Sequence, residues 1–135
     1  MALDRKVASY IELAREDLAA AKALIASGLE RNSTIHIQQA AEKLLKAVLA
    51  AEDIVFPASH QIGALAELLR DGHFWKDEFR GFDPLTRYAT AYRYPTPGGD
   101  VPTPPTRKEL QQSIESVVAL VDEVRDWCAE KPPRP

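Results

Sequence analysis

Arg31 and His36 stand at either end of the run Arg31-Asn32-Ser33-Thr34-Ile35-His36. An imidazole can exchange a proton near neutral pH, and a guanidinium can hold a phosphate. The pair therefore has the parts for proton transfer beside a bound phosphodiester. The plainer reading of His36 is a surface histidine on the polar face of its helix, beside Gln39 and Lys43. A second group is Arg87, Tyr88, Tyr92, Arg93 and Tyr94. Arg with Tyr can grip phosphate and stack a base. Alternatively, the tyrosines fill the core and the arginines pair with acids of the first helix such as Glu16 and Asp17.

Gln38, Glu42 and Lys46 recur at one-turn spacing. Gln38 and Glu42 are expected on the shoulder of their helix, partly wet, with Lys46 on the polar side beside Gln39 and Lys43. Glu42 and Lys46 can be a simple helix-stabilising pair, contributing a few tenths of a kcal/mol, or part of a groove between helices. His60 follows Ser59 at a predicted helix start, where it either packs over the turn or offers a neutral imidazole near helix N–H groups that favour an anion. His73, beside Phe74 and Trp75, reads as a loop residue.

Other chemistries have no residues to carry them. Gly98-Gly99 lies between prolines with no following Lys-Ser or Lys-Thr, so there is no phosphate loop. The paired aspartates that hold magnesium in a nucleotidyltransferase are missing. Cys128 is the single cysteine and the three histidines are scattered, so neither a disulfide nor a metal site is expected, and no cofactor. The net charge is −3, which argues against a basic field over the whole surface but allows a local basic stripe. No run approaches the ~20 apolar residues of a membrane helix. The first residues lack a signal-peptide core, so a cytoplasmic location is the expectation.

The elements that must position these residues are helices. Val7, Ile11, Ala14, Leu18, Ala21 and Ile25 form a seam for a helix from about Leu3 to Ala26, ended by Ser27-Gly28. A second helix is predicted from Asn32 or Ser33 as cap to about Glu52, with Ile37, Ala41, Leu44 and Val48 facing the core. A third runs from His60 to Arg70 with Ser59 as cap. A less regular segment follows, whose Phe74, Trp75, Phe79 and Phe82 plug the end of the core. A fourth helix starts with Asp83 as cap and Pro84 in its first turn, and reaches Tyr92 or Tyr94. Pro95 to Pro105 must be an exposed, extended loop. A fifth helix begins at Thr106 with a capping box to Glu109, and Leu110, Ile114, Val117, Val121, Val124 and Cys128 form its seam. The reading is all-α: an up-and-down bundle of four to five helices in a single domain over 1–130, with 131–135 a frayed tail.

Laid out this way, the chain resembles the HEPN family of small helical domains. The matching words are AREDLAAAKALIASG (Ala14 to Gly28), HIQQAAEKLLKAVLA (His36 to Ala50), SHQIGALAELL (Ser59 to Leu69) and AYRYP (Ala91 to Pro95). The resemblance implies a homodimer and association with a minimal nucleotidyltransferase. It also implies two competing roles: a metal-independent RNase toxin, or a non-catalytic partner that binds nucleotide or substrate. Arg31 and His36 match the Arg…His spacing of the RNase members. They depart from it in place, since that motif sits late in the nuclease domains, and Gln38 stands where some toxins carry a tyrosine. The expectation is a non-catalytic partner binding a nucleotide, RNA or the transferase through Gln38, Glu42, Lys46, His60, Arg87, Arg93 and Tyr94. The alternatives are an RNase using Arg31 and His36, and a purely structural adaptor.

Overall fold

The computed structural model describes residues 4–130, and Leu3 and the predicted frayed tail lie outside them. Three long helices carry the bundle: α1 (Arg5–Ala26), α2 (Glu30–Ala51) and α5 (Arg107–Glu130). A five-residue helix, α3 (Ile62–Ala66), and a 3₁₀ helix (Asp83–Ala89) cover one side of α2, and a second five-residue helix, α4 (Lys76–Arg80), packs on α3. There is no strand among the described residues.

The predicted seams are the buried ones. Every named apolar position of α1 and α5, and the α2 stripe Ile37, Ala41, Leu44 and Val48, is buried. α1 starts at an Asp4 cap whose carboxylate accepts from the N–H groups of Lys6 and Val7. It ends at Gly28, whose φ of 74° lets the chain reverse within three residues into α2. Arg107 donates to the carbonyl of Ile25, and Arg15 pairs with Asp122 at 2.7 Å, so α5 runs antiparallel to α1. Thr106 caps α5 by accepting from the Glu109 N–H and donating to its carboxylate.

α2 is the centre of the molecule. Alanines 40, 41 and 47 let neighbours approach closely, and its burial runs round most of its circumference. Its start differs from expectation: the helix begins at Glu30 with no side-chain cap. Ser33 and Thr34 instead lie inside the first turns, where their hydroxyls donate back to the carbonyls of Glu30 and Arg31 at 2.7 Å.

The predicted third helix is reduced to α3, with Gln61 at its N-cap and turns of 3₁₀ type after Ala66. Ser59 accepts from the Gln61 N–H but does not cap the helix. The caps come from 20 or more residues away: Asp83 accepts from the Gly63 N–H at 2.8 Å, and Thr86 from that of Ile62 at 3.1 Å. Spent on α3, Asp83 does not cap its own helix, and the predicted fourth helix is a 3₁₀ segment ending at Ala89. A Cβ at Gly63 would lie 2.5 Å from an Asp83 oxygen, so this approach requires glycine. Phe79 and Trp75 plug the core as expected and Phe82 packs against it, but Phe74 is largely exposed.

Candidate functional site

Four of the expected binding residues meet at one carboxylate. Gln38, Glu42 and Lys46 lie on successive turns of α2, and the covering segment brings His60 onto them. Glu42 Oε1 accepts from the Gln38 amide at 2.8 Å and faces His60 Nδ1 at 2.9 Å, while Oε2 accepts from the Lys46 ammonium at 2.8 Å. The shoulder position expected for Gln38 and Glu42, and the polar face expected for Lys46, are corrected. Their exposures are 1%, 5% and 9%, because α3 and the 3₁₀ helix roof this face of the central helix. Burial pushes the Glu42 carboxyl up, but the hydrogen bonds from Lys46, Gln38 and His60 outweigh it and hold the group below its ordinary value. His60 is the wet edge of the cluster, its side chain 75% exposed. It directly precedes Gln61, the N-cap of α3, but its side chain reaches to Glu42, while the first N–H groups of that helix are taken by Thr86 and Asp83.

Nothing in the residue pattern pointed to Phe56 as a member of this cluster. Its ring lies 5.9 Å from the Lys46 ammonium and 5.3 Å from that of Lys6, with Tyr10 tilted against it.

Arg31 and His36 are directed apart. Five helical steps of about 100° leave them roughly 140° apart around α2. Arg31 Nε donates to the Pro102 carbonyl at 3.1 Å and so anchors the proline-rich loop. His36 turns to α1, its Nδ1 3.0 Å from Asp17 Oδ1. Asp17 Oδ2 also takes the Lys43 ammonium at 2.5 Å. The plain reading of His36 as a polar-face residue beside Lys43 thus gains a buried partner. Asp17 was the residue least legible in advance, and its signal was an acid set among the apolar seam residues Ala14, Leu18 and Ala21.

Arg87, Arg93 and Tyr94 are exposed on the 3₁₀ helix and the turns after it. Arg93 donates to the Ala89 carbonyl and lies 5.8 Å from the Tyr94 ring. Neither arginine pairs with Glu16 or Asp17, because those acids lie on α1 and Asp17 is already engaged. Among the described residues, no carboxylate lies within salt-bridge distance of Arg31, Arg87 or Arg93, nor of Arg5 or Arg70, whereas Arg15, Arg80, Arg107 and Arg125 all have one. Tyr88 and Tyr92 pack edge to face, and Tyr88 lies beside Glu109 and Ser113 of α5. Burial, then Tyr92 and Glu109, push the Tyr88 hydroxyl above its ordinary value against a hydrogen bond with Ser113.

His73, expected as a loop residue, lies in a turn but is enclosed. Its Nδ1 accepts from the Trp75 N–H and its Nε2 meets Glu52 at 3.1 Å. Among the described residues there is no group of three His, Cys, Asp or Glu able to hold a metal ion, and no helix is long and apolar enough to cross a membrane.

Residues 7–130 match the HEPN domain family. A relative from Methanocaldococcus jannaschii named "Putative toxin MJ1304" is 26% identical, over 90% of this chain and 88% of its own. The crystal structure of ST0689, an archaeal HEPN homologue, superposes with a TM-score of 0.65 over 93% of this chain and 99% of that one, at 20% identity. That likeness speaks for the fold.

Proposed function

The chain belongs to the HEPN domain family, and from that premise we propose that it is a toxin-like helical partner of a minimal nucleotidyltransferase, binding a nucleotide or RNA in the cytoplasm as a homodimer. The observation that carries the reading is the surface of Arg87, Arg93 and Tyr94. Its guanidinium groups have no carboxylate to neutralise them, and an exposed aromatic ring lies beside one of them. Such groups are suited to phosphate and a stacked base. The toxin name of the M. jannaschii relative supports the toxin-like part. Binding without cutting is supported by the separation of Arg31 from His36, each engaged with a different neighbour. The buried Glu42 cluster anchors the covering segment from which this surface projects.

The test is fluorescence anisotropy of a labelled single-stranded RNA with purified protein, beside a metal-free cleavage assay. Salt-sensitive binding with the RNA left intact is the expected result. No binding of RNA or of a nucleotide would leave only the structural-adaptor role.

One observation favours a second reading, the metal-independent RNase. His36 is aligned by a carboxylate, as a general base is. Its free nitrogen would take the 2′-hydroxyl proton, the 2′-oxygen would bond to phosphorus, and the 5′-oxygen would leave and take a proton from water. Arg31 would hold the phosphate from a second copy, since it faces away from His36 in its own. Cleavage lost in both His36→Ala and Arg31→Ala would establish this reading over the first.

A further inference from the structure

We infer that Asp17 is a positioning residue that fixes the tautomer of His36, keeping hydrogen on Nδ1 and presenting Nε2 as the proton-accepting atom. The inference deepens the RNase reading and takes its substrate class, a single-stranded RNA phosphodiester, from it.

Asp17 flanks the apolar seam of α1 and is 8% exposed. An acid there must be partnered, and a buried ion pair is weak evidence for stability, since apolar packing of similar volume often does as well. What the carboxylate adds is direction. Its two oxygens are divided: Oδ1 faces His36 Nδ1 at 3.0 Å and Oδ2 faces Lys43 Nζ. A carboxylate only accepts, so the imidazole nitrogen facing it carries the hydrogen. The lone pair of a neutral ring then lies on Nε2. The His36 side chain is 34% exposed, and Nε2 has no hydrogen-bond partner among the described residues. Lys43 secures the other oxygen and fixes the rotation of the carboxylate.

The geometry sets up a test in two steps. In Asp17→Asn, the Lys43 ammonium can only donate, so it claims the amide oxygen and turns the amide NH₂ toward His36 Nδ1. That nitrogen must then accept, and the hydrogen moves to Nε2. Adding Lys43→Met frees the amide oxygen to accept from Nδ1 and returns the hydrogen. The ring ¹⁵N shifts of His36, assigned with His36→Ala and recorded at a pH where the ring is neutral, read the tautomer directly. The expected series is Nδ1–H in wild type, Nε2–H in Asp17→Asn, and recovery of Nδ1–H in the double variant. Under the RNase reading, cleavage of labelled RNA falls by about 100-fold or more in Asp17→Asn with RNA affinity unchanged, and recovers partly in the double variant. An Nε2–H tautomer in wild type, or a tautomer or cleavage rate indifferent to Asp17→Asn, would overturn the assignment. The expected tautomer series with no cleavage by wild type would uphold the Asp17 assignment and sink the RNase reading.

Discussion

Glu42 and Lys46 face each other at 2.8 Å one turn apart on the central helix, both nearly sealed from water. On an exposed helix this spacing contributes a few tenths of a kcal/mol. Here each side chain has given up its hydration, so the pair is costly to break but cheap to replace whole. Lys46→Met alone, or Glu42→Gln alone, is predicted to destabilise by about 3 kcal/mol. Glu42→Leu combined with Lys46→Met is predicted to fall within about 1.5 kcal/mol of wild type, with His60 released from its carboxylate partner. Urea denaturation of the three variants measures this, and additive losses would refute it.

The same carboxylate sets a pH dependence. Its folded value lies below the 4.5 of an ordinary glutamate, so the unfolded chain binds the proton more readily. The stabilisation is therefore complete above about 4.5 and is lost as pH falls through the lower folded value. Glu67 and Asp71, held down by Arg80 and Lys76 on the surface, act in the same direction. The difference between wild type and Glu42→Gln isolates the buried group. That difference in melting temperature is predicted to be constant from pH 7 to pH 5 and to shrink below.

Arg87→Ala with Arg93→Ala should weaken RNA binding about tenfold or more and lower the salt slope by about 0.7 for each phosphate no longer neutralised. Both side chains are exposed and lack carboxylate partners, so stability should move by no more than about 0.5 kcal/mol. Anisotropy titrations at several salt concentrations, run beside thermal melts, check both halves. A large drop in stability would return these residues to a structural role.

Gly63→Ala should destabilise by about 1–3 kcal/mol, because the new methyl group meets the Asp83 carboxylate. In an Asp83→Ala background the clash is gone and the cap is already missing, so the same change should be nearly neutral. Chemical denaturation of the four proteins of this cycle gives the coupling, and its absence would count against the Asp83 cap.

What could be read from the chain followed the range of the forces involved. The seams of α1, α2 and α5 were legible because apolar spacing alone decides which face of a long helix is buried. α3, α4 and the 3₁₀ helix were blurred because five residues cannot sustain a helix unaided, and their ends are set by partners such as Asp83 that lie far along the chain. The meeting of Gln38, Glu42 and Lys46 was visible as one-turn spacing. Their burial was not, since it depends on the segment that folds over them. Asp17 appeared only as a potential partner for distant arginines. Nothing local to it pointed to His36 on the neighbouring helix.

The enclosure of α2 also bears on the order of assembly. α1 and α2 are joined by three residues and can zip together with little loss of chain entropy, whereas the Arg107–Ile25 hydrogen bond closes a separation of 82 residues. The α1–α2 hairpin is therefore expected to form the folding nucleus, with α5 docking after the rate-limiting barrier. Ala41→Gly should chiefly slow refolding, and Val117→Ala should chiefly hasten unfolding. Stopped-flow chevrons of the two variants would show this, and a Val117→Ala effect confined to the refolding limb would reverse the order. Among the three long helices, a late-docking α5 would be the one that opens most readily, so the α1–α5 face would exchange its amide hydrogens before the α1–α2 hairpin does.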